Sequence, residues 1–402
     1  VSSFDAYYKR GHRDLPRIVV LIDGLTMLKD HCFQEDDPLL GLCAEGVTYG
    51  ITLVIANMQT SGIAFKYFKF FHHKIAFYCN EASEYMALFD HCSERITNIP
   101  GRFLADSENK ICEGQGYLAF DAEEAERIHK IKAFLGEINQ RYAGLSAKKI
   151  PVVPDEFPYS DAVAQTKKQQ ENFSLVVGID YANVKPFSLN FKTVNLLGIA
   201  GRANAGKHNF IRYMINALHD IYPQKTEVYI FDSFERKLSS LQDRPNVVGY
   251  EIISRKCIEV LGKITDELRN RYENLEKGNM EILDQSKLIL LVINSPMLLN
   301  EIGNQPDANH LLKQITEQYR SLNVCVLLGN IENKEIPYNA NELLKKLKES
   351  KHIFLFDDLF KLKLYDLYGM QNPYRKAGRI TPGDAYFSDD GRVIKLKTPL
   401  MS

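Results

Sequence analysis

The residues with the clearest potential for chemistry lie at positions 201–208, in the order Gly-Arg-Ala-Asn-Ala-Gly-Lys-His. An apolar run ends just before them at Ala200, and an amphipathic helical pattern follows them. In a glycine loop of this kind, backbone N–H groups wrap a phosphate and the lysine reaches the outer phosphates. The pattern predicts a nucleotide cradle, for which the alternative is a turn that only closes a strand–helix unit. The predicted nucleotide-binding residues are Gly201, Arg202, Ala203, Asn204, Ala205, Gly206, Lys207 and His208.

Three departures from the phosphate-loop pattern argue against metal-assisted hydrolysis. His208 stands where a serine or threonine hydroxyl would bind Mg²⁺, and imidazole is a poor ligand for that hard cation. The apolar run 288–293 ends in Asn294, where an acid would bind the metal. Ser295 follows, where a glutamate would polarise water. We therefore assign no catalytic residue and predict that ATP is bound weakly or not at all, without Mg²⁺ and with little or no hydrolysis.

A second apolar run, at residues 17–22, ends in Asp23, which Gly24 follows. An acid directly after a buried parallel strand lies at the edge of the sheet where α/β proteins bind ligands. Asp23 is therefore a candidate Mg²⁺ ligand, while Gly24 occupies the position of the general base and cannot act as one. The alternative is that Asp23 only caps the next segment.

Arg102 and Arg379 each follow a glycine near the end of a predicted domain. Both are candidates for an arginine donated to the phosphate of a neighbouring subunit, as in ring ATPases. The alternative is a turn arginine that packs or pairs locally. This alternative is favoured for Arg379, because a degenerate site carries out little hydrolysis that a donated arginine could assist.

Composition indicates a soluble globular protein of two or three domains. The chain has 402 residues, 45% hydrophobic and 25% charged, with a formal net charge of −1. That balance gives no overall attraction to nucleic acid, and the lysine-rich pieces alternate with acids. The sequence contains no apolar run of about 18 residues that could span a membrane. Seven cysteines without a C-x-x-C pair suit a reducing compartment.

Buried-strand patterns alternate with helical patterns along most of the chain, which predicts an α/β protein with mainly parallel sheets. Residues 145–172 carry three prolines and many polar residues, and we interpret them as a linker, part of which is expected to pack on a domain. The predicted domains are therefore 1–144 and 173–402.

The two predicted domains match each other in order, at a steady offset of about 270–280 residues. The matching pairs are RIVVLIDGL with LILLVINSP, GITLVIAN with NVCVLLGN, HKIAFY with KHIFLF, and Pro100–Arg102 with Ala377–Arg379. The glycine loop has no counterpart in the first domain. We therefore expect residues 1–144 to be the C-terminal half of a phosphate-loop domain whose own loop lies upstream, with an open strand edge.

The chain resembles tandem FtsK/SpoIIIE-type P-loop ATPase domains of RecA-like fold. The resemblance is carried by GRANAGKH, by VVGIDY before it, by LPRIVVLIDG, GITLVIAN and the Pro-Gly-Arg turn, and by the helix end at residues 266–272. Within that superfamily it is most similar to the C-terminal part of the EssC/YukBA-like coupling ATPase of type VII secretion. The ending GDAYFSDDGRVIKLKTP and the increasing degeneracy toward the C-terminus point to this group.

The resemblance implies ATPase domains on the cytoplasmic face of the cell membrane, with the membrane anchor upstream, assembled as a hexamer. It implies secreted WxG-type helical-hairpin proteins and other type VII substrates as partners, received by the last domain. Two alternatives stay open. The first is an FtsK-like DNA translocase. It would need an active site and basic loops that contact DNA, and we expect no nucleic acid partner. A protein-interaction scaffold would have only a vestigial loop.

Overall fold

The computed structural model describes residues 2–32, 38–60, 63–89, 92–107, 110–145, 147–169, 171–338, 340–359, 363–364, 380–389 and 392–401. The chain divides into two compact units, Val1–Lys148 and Lys149–Ser402. Among the helices in these ranges, none is long and apolar enough to cross a membrane.

The first unit contains short elements, most of which leave at least one face in solvent. Its helices are α1 (Phe4–Lys9), α2 (Leu25–Cys32), α3 (Pro38–Glu45), α4 (Phe65–Phe68), α5 (Ala82–Leu88) and α6 (Glu124–Arg141), with a 3₁₀ helix at Gly46–Tyr49. Its strands are β1 (Ile18–Asp23), β2 (Ile51–Ala56), β3 (Ile75–Phe77), β4 (Arg102–Ser107) and β5 (Lys110–Gln115).

These strands form two separate small sheets. Strands β1 and β2 pair in parallel, with Ile18 opposite Ile51, and β3, β4 and β5 form an antiparallel sheet in that order. Leu25, Leu39 and Tyr67 form a small core against one face of β1 and β2. A second small core around Tyr85, Phe89 and Leu104 supports the antiparallel sheet.

The second unit is larger and its elements alternate between strand and helix. Its helices are α7 (Tyr159–Gln169), α8 (Lys207–Ile221), α9 (Ser254–Glu276), α10 (Ile282–Gln285), α11 (Pro296–Gly303), α12 (Pro306–Lys313) and α13 (Glu342–Ser350), with a 3₁₀ helix at Ser239–Leu241 and a π-helical turn at Gln314–Gln318. Its strands are β6 (Ser174–Asp180), β7 (Pro186–Asn190), β8 (Leu196–Gly201), β9 (Thr226–Phe231), β10 (Val247–Glu251), β11 (Leu288–Ile293), β12 (Val324–Ile331), β13 (Ile353–Phe356), β14 (Asp384–Asp389) and β15 (Arg392–Lys397).

The ten strands in the described part of the second unit belong to one sheet, in the order β10-β9-β11-β12-β8-β13-β14-β15-β6-β7. The pairs from β10 to β13 are parallel, and those from β13 to β7 are antiparallel. Strands β8 and β11 are buried along their whole length, because helices cover both faces of the parallel part. Phe210, Ile211 and Met214 of α8 pack on one face, and α9 packs on the other. The predicted α/β fold with mainly parallel sheets is confirmed.

The predicted linker 145–172 needs a correction, because most of it belongs to the second unit. That unit begins at Lys149, and α7 lies within the supposed linker. Phe157 and Ala162 are buried in its core, and the Thr166 hydroxyl accepts a hydrogen bond from the Val176 N–H at 2.9 Å. The polar composition of this stretch concealed an amphipathic helix whose small apolar face packs on β6.

Candidate functional site

The glycine loop connects β8 to α8 at the carboxyl edge of the parallel sheet, as the spacing predicts. Gly201 has φ 137°, and a Cβ there would lie 2.4 Å from the carbonyl oxygen of Phe356 on β13. Gly206 has φ 103° and directly precedes α8. Both positions therefore require glycine, because other residues rarely adopt a positive φ of this size. Gly201 requires it also because β8 and β13 approach closely there.

Lys207 is buried at the start of α8 and bonds to the loop itself. Its Nζ donates to the carbonyl oxygens of Gly201 at 2.7 Å and Arg202 at 2.6 Å. Burial lowers the pKa of Lys207, and the nearby carboxylates of Asp357 and Glu332 oppose that shift. The ammonium therefore lies inside the cradle, held by two carbonyls, where an incoming phosphate would compete for it.

Asp232 and Asn294 form a buried pair where β9 and β11 end. The Asn294 amide donates through Nδ2 to Asp232 Oδ1 at 2.8 Å, and both side chains are fully buried. Asp232 also accepts hydrogen bonds from the backbone N–H groups of Ser233 and Leu238 and from the Tyr250 hydroxyl, at 2.7–2.8 Å. With four donors, this carboxylate is held as a structural acceptor and is poorly placed to act as a general base.

His208 lies beside this pair with a buried nitrogen. Its Nε2 has no hydrogen-bond partner among the described residues, and neither has Oδ1 of Asn294. Burial lowers the pKa of His208, and the positive charge of Lys207 lowers it further, while Asp232 acts in the opposite direction. Both lowering effects favour the neutral imidazole. It places a nitrogen where the phosphate-loop pattern places a metal-binding hydroxyl.

Ser295 acts as the N-cap of α11. Its Oγ accepts a hydrogen bond from the Leu298 N–H at 3.2 Å, and Pro296 follows at the first helical position. A serine in this role satisfies a free N–H of the helix and offers no base. Among the described residues, no group of three or more His, Cys, Asp or Glu could hold a metal ion. The backbone cradle and Lys207 offer donors that suit a phosphate.

The predicted site residues of the first unit lie in its own separate sheets. Asp23 ends β1 with an exposed side chain, and the Gly24 N–H donates to the Ala56 carbonyl at 2.9 Å, which closes the end of the strand pair. Arg102 pairs within its own hairpin, with Nη1 2.7 Å from Glu113 and Nε 3.0 Å from Gln115. Arg379 lies outside the described residues. Asp23 as a metal ligand and Arg102 as a donated arginine stay predictions.

A cavity of about 290 Å³ lies next to Ser295. Its wall is mainly apolar and comes from α11, the ends of β11 and β12, and α13, while Glu332, Lys334 and Glu335 are its charged lining residues. Leu299, Leu328, Ile331 and Leu344 are among its lining side chains. The cavity is large enough to receive one or two bulky apolar side chains, and its lining suits the apolar part of a peptide more than a nucleotide.

Sequence reasoning identified the loop but not its neighbours. Asp232 follows a strand, as its sequence context EVYIFD indicates, yet only the pairing of β9 with β11 brings it to Asn294. Asp357 and Glu332 are close to Lys207 because β13 and β12 flank β8. The available signal was the acid that directly follows β9, β12 and β13. Strand order was needed to use it.

Comparison with known proteins identifies relatives in one secretion system. No protein-family model matches the chain. The ESX secretion system protein YukB of Bacillus subtilis is 22% identical over 409 residues, which cover 100% of this chain and 27% of YukB. The chain therefore spans about a quarter of the length of this curated relative.

Two solved structures share the architecture of both units. EssC ATPases 2 and 3 from Geobacillus thermodenitrificans superpose with a TM-score of 0.69 at 21% identity, covering 100% of this chain and 75% of that one. Thermomonospora curvata EccC ATPases 2 and 3, in complex with a signal sequence peptide, give a TM-score of 0.61 at 16% identity, covering 99% of this chain and 72% of that one. The predicted tandem P-loop fold and the predicted resemblance to the EssC/YukB-type coupling ATPases are both confirmed.

Proposed function

We propose that the chain is the C-terminal ATPase module of a type VII secretion coupling protein. In this proposal its second unit binds ATP weakly or not at all, hydrolyses little or none, and receives secreted substrates. The observation that carries the proposal is an intact phosphate cradle next to two residues that are already engaged within the protein. These residues stand where the phosphate-loop pattern has a metal ligand and a general base. Asn294 is bonded to Asp232, and Ser295 caps α11. Such a site keeps a means of binding a nucleotide while lacking the groups that speed its hydrolysis.

The nucleotide part is tested by titrating ATP into the whole chain, with and without Mg²⁺. Binding should be insensitive to Mg²⁺, and Lys207→Ala should weaken it at least about tenfold, because a charge-assisted contact to phosphate is lost. Lys263→Ala, at an exposed position of α9, is the matched control and should change nothing. Brisk, Mg²⁺-dependent ATP turnover that requires Lys207 would contradict the proposal. No binding at millimolar ATP would assign the loop a structural role only.

The substrate part is supported by the neighbour that is solved with a signal sequence peptide. The cavity beside Ser295 is the proposed binding site for apolar side chains from the tail of a WxG-type helical-hairpin protein or another type VII substrate. Its apolar wall would bury those side chains, and the charges of Glu332, Lys334 and Glu335 would select the flanking residues.

This binding site is tested by the fluorescence polarisation of a labelled peptide that carries the C-terminal tail of a WxG-type protein. Leu344→Glu should abolish binding, because it places a charge in the apolar wall. Phe234→Glu is the control, since Phe234 is exposed and lies outside the cavity lining. Equal binding by both variants would place reception elsewhere.

The setting of the module is also proposed by resemblance. It would work at the cytoplasmic face of the cell membrane, held by an anchor in another part of the protein, with other copies as a hexamer. In such a ring, Arg102 would have to leave its pair with Glu113 before it could reach a neighbour's phosphate. The near-neutral charge gives no support to a DNA translocase.

A further inference from the structure

Two buried polar atoms near the phosphate cradle lack partners. His208 is the second residue of α8, at the position where the phosphate-loop pattern has a hydroxyl that binds Mg²⁺. Its Nε2 is buried and has no hydrogen-bond partner among the described residues. Where β11 ends, Asn294 is fully buried, and its Oδ1 likewise finds no donor in the described part of the chain. Buried polar atoms without partners are expected where a site takes up a water, an ion or a ligand.

The charged groups around His208 favour the neutral ring while the cradle is empty. Burial is the largest cause of the lowered pKa of His208. The positive charges of Lys207 and Arg212 on α8, and of Lys237 in the segment after β9, lower it further. Asp232, at the end of β9, acts in the opposite direction. The imidazole is thus surrounded by more cations than anions, and it lacks a negative charge that would hold a proton on it.

A bound triphosphate would supply that negative charge. Lys207 marks where the outer phosphates would bind, one residue before His208 in the same helical turn. The carboxylates of Asp357 and Glu332, after β13 and β12, act on the pKa of Lys207. An anion close to an imidazole raises its pKa, and the protonated ring has two N–H donors where the neutral ring has one. A phosphate oxygen and the Oδ1 of Asn294 are suitable acceptors for these donors.

We propose that His208 takes up a proton when ATP binds, so that the imidazolium supplies the positive charge that Mg²⁺ supplies in the usual phosphate-loop site. This inference rests on the proposed nucleotide binding and specifies its form, which is metal-free and coupled to one proton. A pKa that is higher in the complex than in the free protein makes binding tighter as the pH falls. If the pKa rises by one unit, the affinity should increase about tenfold across the transition.

The test titrates ATP into the full chain by calorimetry between pH 6 and pH 8, with EDTA present. The parent chain should bind about tenfold more tightly at pH 6 than at pH 8. His208→Gln and His208→Thr should lose this difference, because neither side chain titrates in this range. The terminal phosphate of ATP also titrates near pH 6, but it does so equally for parent and variant. His219→Gln, on the same helix, is the control and should keep the pH dependence.

A second measurement needs no variant for its main result. The imidazole resonance of His208, identified by its absence from His208→Gln, is followed by NMR against pH with and without ATP. ATP should raise its pKa by about one unit, and Lys207→Ala should remove that rise, because the phosphates are no longer held.

The outcomes separate this inference from the proposed function. If His208→Gln binds ATP with the same pH dependence as the parent chain, or if ATP leaves the His208 titration unchanged, the inference is wrong while nucleotide binding stands. If the parent chain binds no ATP at pH 6 or at pH 8, the inference and the nucleotide part of the proposed function are both wrong.

Discussion

At the scale of single residues, the pair of Asp232 and Asn294 explains why an amide at residue 294 is more stable than the acid that the phosphate-loop pattern would place there. An acid at residue 294 would lie 2.8 Å from Asp232 Oδ1, in a place with no access to solvent. Two carboxylates this close cannot both ionise unless a cation lies between them. The amide removes that repulsion and adds a hydrogen bond to Asp232.

We therefore predict that Asn294→Asp lowers the free energy of unfolding by about 2–4 kcal/mol without metal, because it exchanges a buried hydrogen bond for charge repulsion. Millimolar Mg²⁺ should restore part of that loss, as a cation would separate the two carboxylates. Urea unfolding with and without Mg²⁺ measures both effects. Asn246→Asp is the control, since Asn246 is a buried amide that donates to the Ile215 carbonyl, and its response should not depend on Mg²⁺. An unchanged free energy in Asn294→Asp would contradict the prediction.

Spacing within the sequence was sufficient to find the loop, and its residues lie where the pattern places them. Spacing could not show that Lys207 bonds to Gly201 and Arg202 or that Asp232 accepts four hydrogen bonds. These contacts depend on which strands are neighbours, and strand order is a tertiary property that apolar runs do not encode. The N-cap formed by Ser295 was not predictable either. The sequence shows only that residue 295 is not a glutamate, and the capping hydrogen bond is seen in the structure.

At the scale of secondary-structure elements, helix α9 is anchored by a buried arginine. Arg271 donates through Nη1 to the carbonyls of Lys287 and Leu322, at 2.9 and 3.0 Å, and through Nε to Glu267 at 2.9 Å. The spacing of Glu267 and Arg271 along the helix by itself indicates only a surface pair at i,i+4. The structure instead joins the helix to the segments that lead into β11 and β12.

Arg271→Ala should destabilise the second unit by about 2–4 kcal/mol, because the buried Leu322 carbonyl and the partly buried Lys287 carbonyl lose their donor. Arg269→Ala on the same helix removes an exposed pair with Asp266 and should cost less than about 0.5 kcal/mol. Urea denaturation of both variants provides the comparison. Equal costs would mean that the Arg271 contacts contribute little.

A second buried cluster joins the antiparallel strands. Asp384 on β14 accepts hydrogen bonds from the Tyr181 hydroxyl at 2.7 Å, the Thr381 hydroxyl at 2.8 Å and Lys397 Nζ at 3.2 Å. Burial alone would raise the pKa of Asp384, but the hydrogen bonds from Tyr181, Thr381 and Lys397 outweigh it and lower the pKa. The ionised carboxylate is thus favoured in the folded state.

A lowered pKa in the folded state gives stability that is present above the ordinary aspartate pKa and is lost as the pH falls through the lowered value. The second unit should therefore lose free energy of unfolding below about pH 4. Asp384→Asn should remove this part of the pH dependence and destabilise the protein at pH 7 by about 3 kcal/mol, since Lys397 is left buried without its partner. Unfolding curves from pH 3 to pH 7 measure both, with the exposed Asp266→Asn as control. A variant with the same acid sensitivity as the parent chain would exclude this role.

At the scale of the whole molecule, the sequence repeat was the most informative signal, because it placed strands with matching register in both units. It could not show how unequal the two units are. The second unit buries both faces of a ten-stranded sheet. The first divides its strands between two small sheets with small cores around Leu25 and Tyr85. Burial of apolar area is the main source of stability, so the two units should differ widely in free energy of unfolding.

We predict that the first unit unfolds at a lower urea concentration than the second, and the chain carries native probes for this. Cys92 is buried in the first unit, whereas Cys257 and Cys325 are buried in the second. Pulsed thiol labelling with mass spectrometry should therefore show Cys92 reacting at lower urea than the other two, while the exposed Cys112 reacts without urea. If all three buried thiols become reactive together, the two units unfold as one cooperative body.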